Sequence, residues 1–237
     1  RVRLTTLHRV TPPYTNGATI PFTQFEGQSQ YVGPPVQYVE SAASGTPFVA
    51  STLQCTPHYR DWSTVGLLHV TGSAIVPSSV YHVETVAKSC QSPFWEGSPA
   101  CMSGGGYVSS QLEIRTTRWG DVEIPYNPPS ATEQPDFGDI SALVNKFRST
   151  PSAPIKARAL LAGSNAFGTI ATTTLGTDMN FSHIAACVDA FRNAPYPYRM
   201  GKCAGQPDLG FSGACTADSD CTGPGGNGTP PCNLYCP

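Results

Sequence analysis

A thirteen-residue segment of this chain occurs in two related copies. DFGDISALVNKFR (136–148) aligns without a gap to NFSHIAACVDAFR (180–192), and Phe, Ile, Ala, Val, Phe and Arg recur at a constant offset of 44. In the first copy Ile140, Leu143, Val144 and Phe147 stand at i, i+3, i+4 and i+7; in the second Ile184, Cys187, Val188 and Phe191 do. That spacing predicts two amphipathic helices, over 137–148 and 181–192. Each is too short to be stable by itself, so each must bury an apolar face on its twin or on the rest of the chain. Equal lengths and matching stripes predict an antiparallel pair joined through Ile140, Val144, Phe147, Ile184, Val188 and Phe191.

The first 118 residues follow a different pattern. Short apolar runs (Arg1 to Val10, Val65 to Val70, Val80 to Ala87, Tyr107 to Thr116) alternate with stretches rich in Pro, Gly, Ser and Thr. They read as strands joined by turns. Within LHVTGSAIVPSSVYHVETVA (68–87), Pro77, Ser79, Tyr81 and Val83 follow P-x-S-x-Y-x-V. This spacing resembles the corner of fibronectin type III domains, where a proline-led turn enters a strand carrying a buried tyrosine. The resemblance implies a fibronectin-III or immunoglobulin-like sandwich over 1–118, with Tyr81 returning its hydroxyl to the upstream backbone. Trp62 stands in for that family's early tryptophan. A generic β-arch is the alternative.

The duplicated unit, residues 119–200, resembles a dockerin domain, in which two calcium loop–helix motifs pair antiparallel. The resemblance implies a first loop starting at Gly120-Asp121-Val122 and a calcium site formed by Asp121, Asp136 and Asp139. The chain departs from that pattern by carrying EIPYNPPSATEQP where a dockerin has a run of Asp and Asn, and His183 in place of the second closing acid. Calcium requires six to eight oxygen ligands, so only the first site could hold it. The alternative reading makes Asp136 and Asn180 simple helix caps.

Residues 201–237 hold Cys203, Cys215, Cys221, Cys232 and Cys236 with few large apolar residues, a composition that needs crosslinks to stay ordered. The string CTADSDC (215–221) resembles short cysteine-rich repeats of bacterial surface proteins. Nine cysteines in all point to an oxidising compartment, and the odd one is either free or bonded to another chain. Cys90 and Cys101 bracket ten residues, a loop whose closure stabilises by about 2–3 kcal/mol. Asn180 and Asn227 head N-x-S/T sequons and are the candidate glycosylation sites.

No hydrolase elbow, phosphate loop or dinucleotide fingerprint is present, and no paired C-x2-C suggests zinc. His69 and His82 could meet on neighbouring strands, but a metal needs a third ligand. The chain carries a formal net charge of −2 without a basic stripe, which removes the counterion-release term behind nucleic-acid binding. No apolar run is long enough to span a membrane.

The expected fold class is therefore mainly β with a small α part: a sandwich (1–118), a dockerin-like helix pair (119–200) and a disulfide-rich tail (201–237). The whole is similar to modules of large bacterial extracellular proteins, so an extracellular or cell-surface location is expected. No cofactor is expected beyond calcium as a candidate. The favoured function is non-catalytic: a pilus-like or filament subunit whose Arg1–Val10 strand, through Val2, Leu4, Leu7 and Val10, completes the sheet of a neighbouring copy. The alternatives are an adhesion module, dockerin-like or glycan-directed through Trp62, Trp95, Trp119 or tyrosines, and an extracellular hydrolase fragment.

Overall fold

The computed structural model describes residues 2–9, 28–40, 47–85, 109–124, 126, 135–162, 178–198, 201–204, 214–215 and 229–234. It has antiparallel sheets and few helices, so the chain is mainly β with a small α part. Seven strands form one hydrogen-bonded sheet: β1 (Val2–Arg9), β2 (Ser29–Val32), β3 (Val36–Val39), β4 (Pro47–Gln54), β5 (Leu68–Thr71), β6 (Ser79–Thr85) and β7 (Leu112–Arg115). Their order is β3-β4-β2-β1-β6-β7, with β5 joined to β4. Among the described residues only the β4–β5 pairing is parallel. β4 changes partners along its length: Pro47–Ala50 meet β3, Val49–Thr52 meet β5, and Leu53–Gln54 meet β2. A second sheet joins β8 (Gly201–Ala204), β9 (Ala214–Cys215) and β10 (Thr229–Leu234) in the order β10-β8-β9, so the cysteine-rich tail contains ladders as well as cysteines.

β1 lies inside this sheet. It pairs with β2 through Arg3–Thr5 and with β6 from Val2 to Arg9, with a register shift between Thr6 and His8. The strand expected to leave its subunit is thus hydrogen-bonded on both edges within its own chain, and exchange with a neighbour would have to reproduce both ladders. Val10 lies outside the described residues.

The sheet's core gathers Val32, Leu53, Ala74, Val76 and Tyr81, with Trp62 packed at its margin. Tyr81 behaves as the P-x-S-x-Y-x-V spacing predicts. Its ring is buried, and its hydroxyl donates to the Ala74 carbonyl (2.8 Å) and accepts the Val76 N–H (2.7 Å). One buried phenol thereby satisfies two buried backbone groups at the turn into β6.

The described residues then form three α-helices: α1 (Phe137–Phe147), α2 (Lys156–Ala159) and α3 (Phe181–Phe191). The two long ones match the duplicated segments. Asp136 and Asn180 cap them, accepting from the N–H of Gly138 and Ser182. Both helices end in the same way. Ser149 (φ 58°) and Asn193 (φ 62°) turn left-handed, and Thr150 N–H reaches Asn145 O (3.0 Å) as Ala194 N–H reaches Asp189 O (2.9 Å). These are matching Schellman closures, so the structural repeat outlasts the sequence repeat by two residues. Gly120 has φ +90°, and a Cβ there would stand 2.8 Å from the Ala190 Cβ; the loop before α1 can approach α3 only because this residue is glycine. Among the described residues no helix is long and apolar enough to cross a membrane.

Candidate docking face

The inner faces of α1 and α3 use only part of the stripes that the repeat suggested. The buried residues of α1 are Asp139, Ala142 and Leu143; those of α3 are His183, Ile184, Ala186, Cys187 and Ala190. Asp139, Ala142 and Leu143 correspond, at the offset of 44, to His183, Ala186 and Cys187. The two copies therefore turn equivalent faces inward, into a core shared with Val122 and Ala159. Of the predicted stripes, Leu143, Ile184 and Cys187 are buried, Ile140 packs at the core margin and Val188 is half-buried. Val144, Phe147 and Phe191 are exposed, so the expectation that they are interhelical core is corrected, although Phe147 and Phe191 still touch the opposite helix through their rings. The physical reason is that the apolar arc of each helix is wider than the face it can bury. Small and polar side chains permit close approach on one side, and phenylalanines crowd the other.

Polar anchoring explains why Asp139 can face inward. Its Oδ1 accepts the N–H of Val122 (2.7 Å) and Glu123 (3.0 Å), and its Oδ2 accepts the N–H of Asp136 (2.8 Å). A carboxylate in the first turn of a helix also meets the positive end of the helix dipole. In the second copy His183 Nδ1 accepts the N–H of Ala162 (3.0 Å). Both copies thus use this position to hold an upstream backbone segment. Burial pushes the His183 pKa below the ordinary imidazole value, consistent with a neutral ring whose Nδ1 is an acceptor.

Asp121 is buried, Asp136 caps α1, and Asp139 binds backbone N–H groups. Among the described residues no three His, Cys, Asp or Glu side chains are grouped to hold a metal ion. All three acids act electrostatically on Cys187, a buried free thiol whose hydrogen bond runs to Gly120 O (3.5 Å). Burial first, then Asp139, Asp136 and Asp121, push its pKa up to about 12. Cys55 is disulfide-bonded. Cys90, Cys101, Cys221, Cys236, Asn227 and Trp95 lie outside the described residues. Cys203, Cys215 and Cys232 lie on strands, with Cys203 opposite Cys232 in register. Asn180 is exposed at its cap.

The outer face holds the phenylalanines. Phe137 of α1 meets Phe191 of α3 (ring centroids 5.2 Å, 61° between planes), and Phe147 meets Phe181 (6.0 Å, 81°). The first aromatic of each helix touches the last aromatic of the other, which makes the pair antiparallel and gives it local twofold symmetry. Phe137 is 72% exposed and Phe181 71%, with Phe147 at 48% and Phe191 at 38%. At roughly 150–250 Å² per phenylalanine, these fractions leave on the order of 500 Å² of aromatic surface, the upper end of what a monomer usually shows.

A polar knot fixes this helical unit to the sheet. Glu40, after β3, is buried and accepts the Tyr38 hydroxyl (2.8 Å), the Lys146 ammonium (2.7 Å) and the Lys156 N–H (2.8 and 3.1 Å to its two oxygens). With the phenol proton on Glu40, His69 Nδ1–H donates to the Tyr38 oxygen. The Lys156 ammonium pairs with Asp178 (2.8 Å). Burial would raise the Glu40 pKa, but Lys146, the Lys156 N–H and Tyr38 outweigh it and hold it below the ordinary carboxylate value. Burial raises Tyr38, with Glu40 adding to it, and lowers His69. These residues are 106 and 116 positions apart in sequence and left no signal in it. His69 therefore meets Tyr38, while His82 stands 4.0 Å from Glu113, so the two histidines serve different neighbours.

The tryptophans considered as sugar platforms lie elsewhere. Trp119 is buried against Tyr196, and Trp62 sits half-buried with Arg60 over its ring and His58 at its edge. No protein-family model, curated protein or solved structure matches this chain.

Proposed function

We propose that this chain is a structural docking module of a secreted or cell-surface protein, and that its working surface is the outer face of the α1–α3 pair. One observation carries the reading: four phenylalanines related by the repeat stand exposed on helices whose inner faces are already anchored. Exposed aromatic surface of this extent costs solubility and is retained where something covers it. The disulfide at Cys55 supports an oxidising compartment. The Tyr81 corner supports the fibronectin-III-like resemblance, and the two capped loop–helix units support the dockerin-like one. Filament growth by strand addition is a separate reading that uses the sheet instead of this face, with a neighbour's β1 taking the slot between β2 and β6.

The test is the double variant Phe137→Ser/Phe181→Ser. Both side chains are more than two-thirds exposed, so the fold should keep its helicity and melting temperature. The reading expects the wild-type chain to bind an environment-sensitive apolar dye and the variant to lose most of that signal. Equal dye binding by the two would overturn it.

A further inference from the structure

Resting on that reading, we infer that the phenylalanine face is covered by the same face of a second copy, giving a twofold dimer built on four helices. An isologous interface requires a self-complementary patch, in which residue i meets j and j meets i. The repeat supplies this property. Each exposed aromatic of α1 has a counterpart on α3, at Phe137/Phe181 and Phe147/Phe191, and the reciprocal ring pairs place the four rings with twofold symmetry. Turning one copy onto another brings two ring pairs against two ring pairs.

The area suits a reversible dimer. About 500 Å² from each copy makes a total on the order of 1,000 Å², the lower bound for a specific interface. Association is therefore expected in the micromolar range rather than as a permanent assembly.

Charge fits both ways in which the faces can stack. One end of the pair carries Asp136, before Phe137, together with Arg192, after Phe191. The other carries Arg148, after Phe147, together with the uncharged Asn180, before Phe181. Asp136, Arg148 and Arg192 are all exposed. A twofold axis parallel to the helices lays α1 of one copy over α3 of the other and sets Asp136 beside the other copy's Arg192, twice by symmetry. An axis across them lays each helix over its equivalent and sets Arg148 of one copy beside Asp136 of the other, twice by symmetry. Either axis pairs opposite charges at the rim, which suits a second copy as the occupant.

Sedimentation of the full chain between about 1 and 500 µM tests this. The expected result is a reversible dimer. Phe137→Ser/Phe181→Ser should weaken it at least about 100-fold, since four aromatic contacts are lost per dimer. Arg148→Glu, an exposed change away from the core, should weaken it about 10-fold if the axis runs across the helices, and Arg192→Glu should do so if it runs along them, in each case by facing Asp136. A dimer indifferent to the serine pair, or one that neither Arg148→Glu nor Arg192→Glu weakens, overturns the inference. A wild-type chain that stays monomeric throughout rejects the second copy. If the serine pair still abolishes dye binding in that case, the docking face stands with another occupant; if it does not, both readings fall.

Discussion

Replacing Asp139 with alanine tests the anchor beneath the docking face. The carboxylate is almost fully buried and accepts three backbone N–H groups, from Val122, Glu123 and Asp136. Truncation leaves the Val122 donor in a buried site, at about 1–3 kcal/mol for an unsatisfied buried group. The Glu123 and Asp136 donors are only partly buried and regain some hydration. The loss should therefore be about 3–5 kcal/mol in all. For a chain of this size each kcal/mol lowers the melting temperature by about 2–4 °C, so a drop of roughly 6–20 °C is expected by calorimetry. Asp139→Asn keeps an oxygen for Val122 and Glu123 but turns an amide toward the Asp136 N–H, and should lose about 1–2 kcal/mol. Neither melting temperature should respond to calcium or to a chelator. An alanine variant melting within about 2 °C of wild type would refute the backbone-anchor argument. So would a calcium-dependent stabilisation that disappears with Asp139, which would restore its role as a metal ligand.

The remaining expectations concern other parts of the same framework. Tyr81→Phe strands the buried Ala74 carbonyl and Val76 N–H, and chemical denaturation should report about 2–3 kcal/mol lost; an unchanged midpoint would refute the corner's role. Acidification should weaken the fold in two stages. His69 and His183 have depressed pKa values, so their contribution is complete above about 6.5 and is lost as pH falls from there through the lower folded values. Glu40 is also depressed, so its contribution is complete above about 4.5 and is lost as pH falls through its folded value. A melting temperature flat from about pH 6.5 to 4.5 would contradict the histidine stage, and one that stays flat as pH falls on below about 4.5 would contradict the Glu40 stage. Cys187 should resist alkylation in the native protein and react once unfolded, by mass mapping; rapid native labelling would contradict its burial. Deleting residues 1–10 removes β1 from between β2 and β6 and should abolish the folded monomer; a truncated chain that stays folded would revive strand donation.

Local rules were legible where a single stretch of chain decides the outcome. The N-caps Asp136 and Asn180, the two helices and the Tyr81 corner each depend on neighbours within a few residues, and the sequence alone determined them. The repeat also determined that α1 and α3 would be equivalent. Which part of each apolar stripe turns inward was a tertiary decision. The stripe is wider than the face that can be buried, and the choice follows from what lies beneath: backbone N–H groups of Val122, Glu123 and Ala162 that need the acceptors Asp139 and His183. The phenylalanines were thereby left outside. Likewise, Glu40 meets Lys146 and Lys156 only because β3 and the helical unit converge in space, and no local pattern encodes a contact between groups more than a hundred residues apart. The place of β1 in the sheet has the same origin: alternation marks 2–9 as a strand, but which strands flank it is set by long-range pairing with β2 and β6.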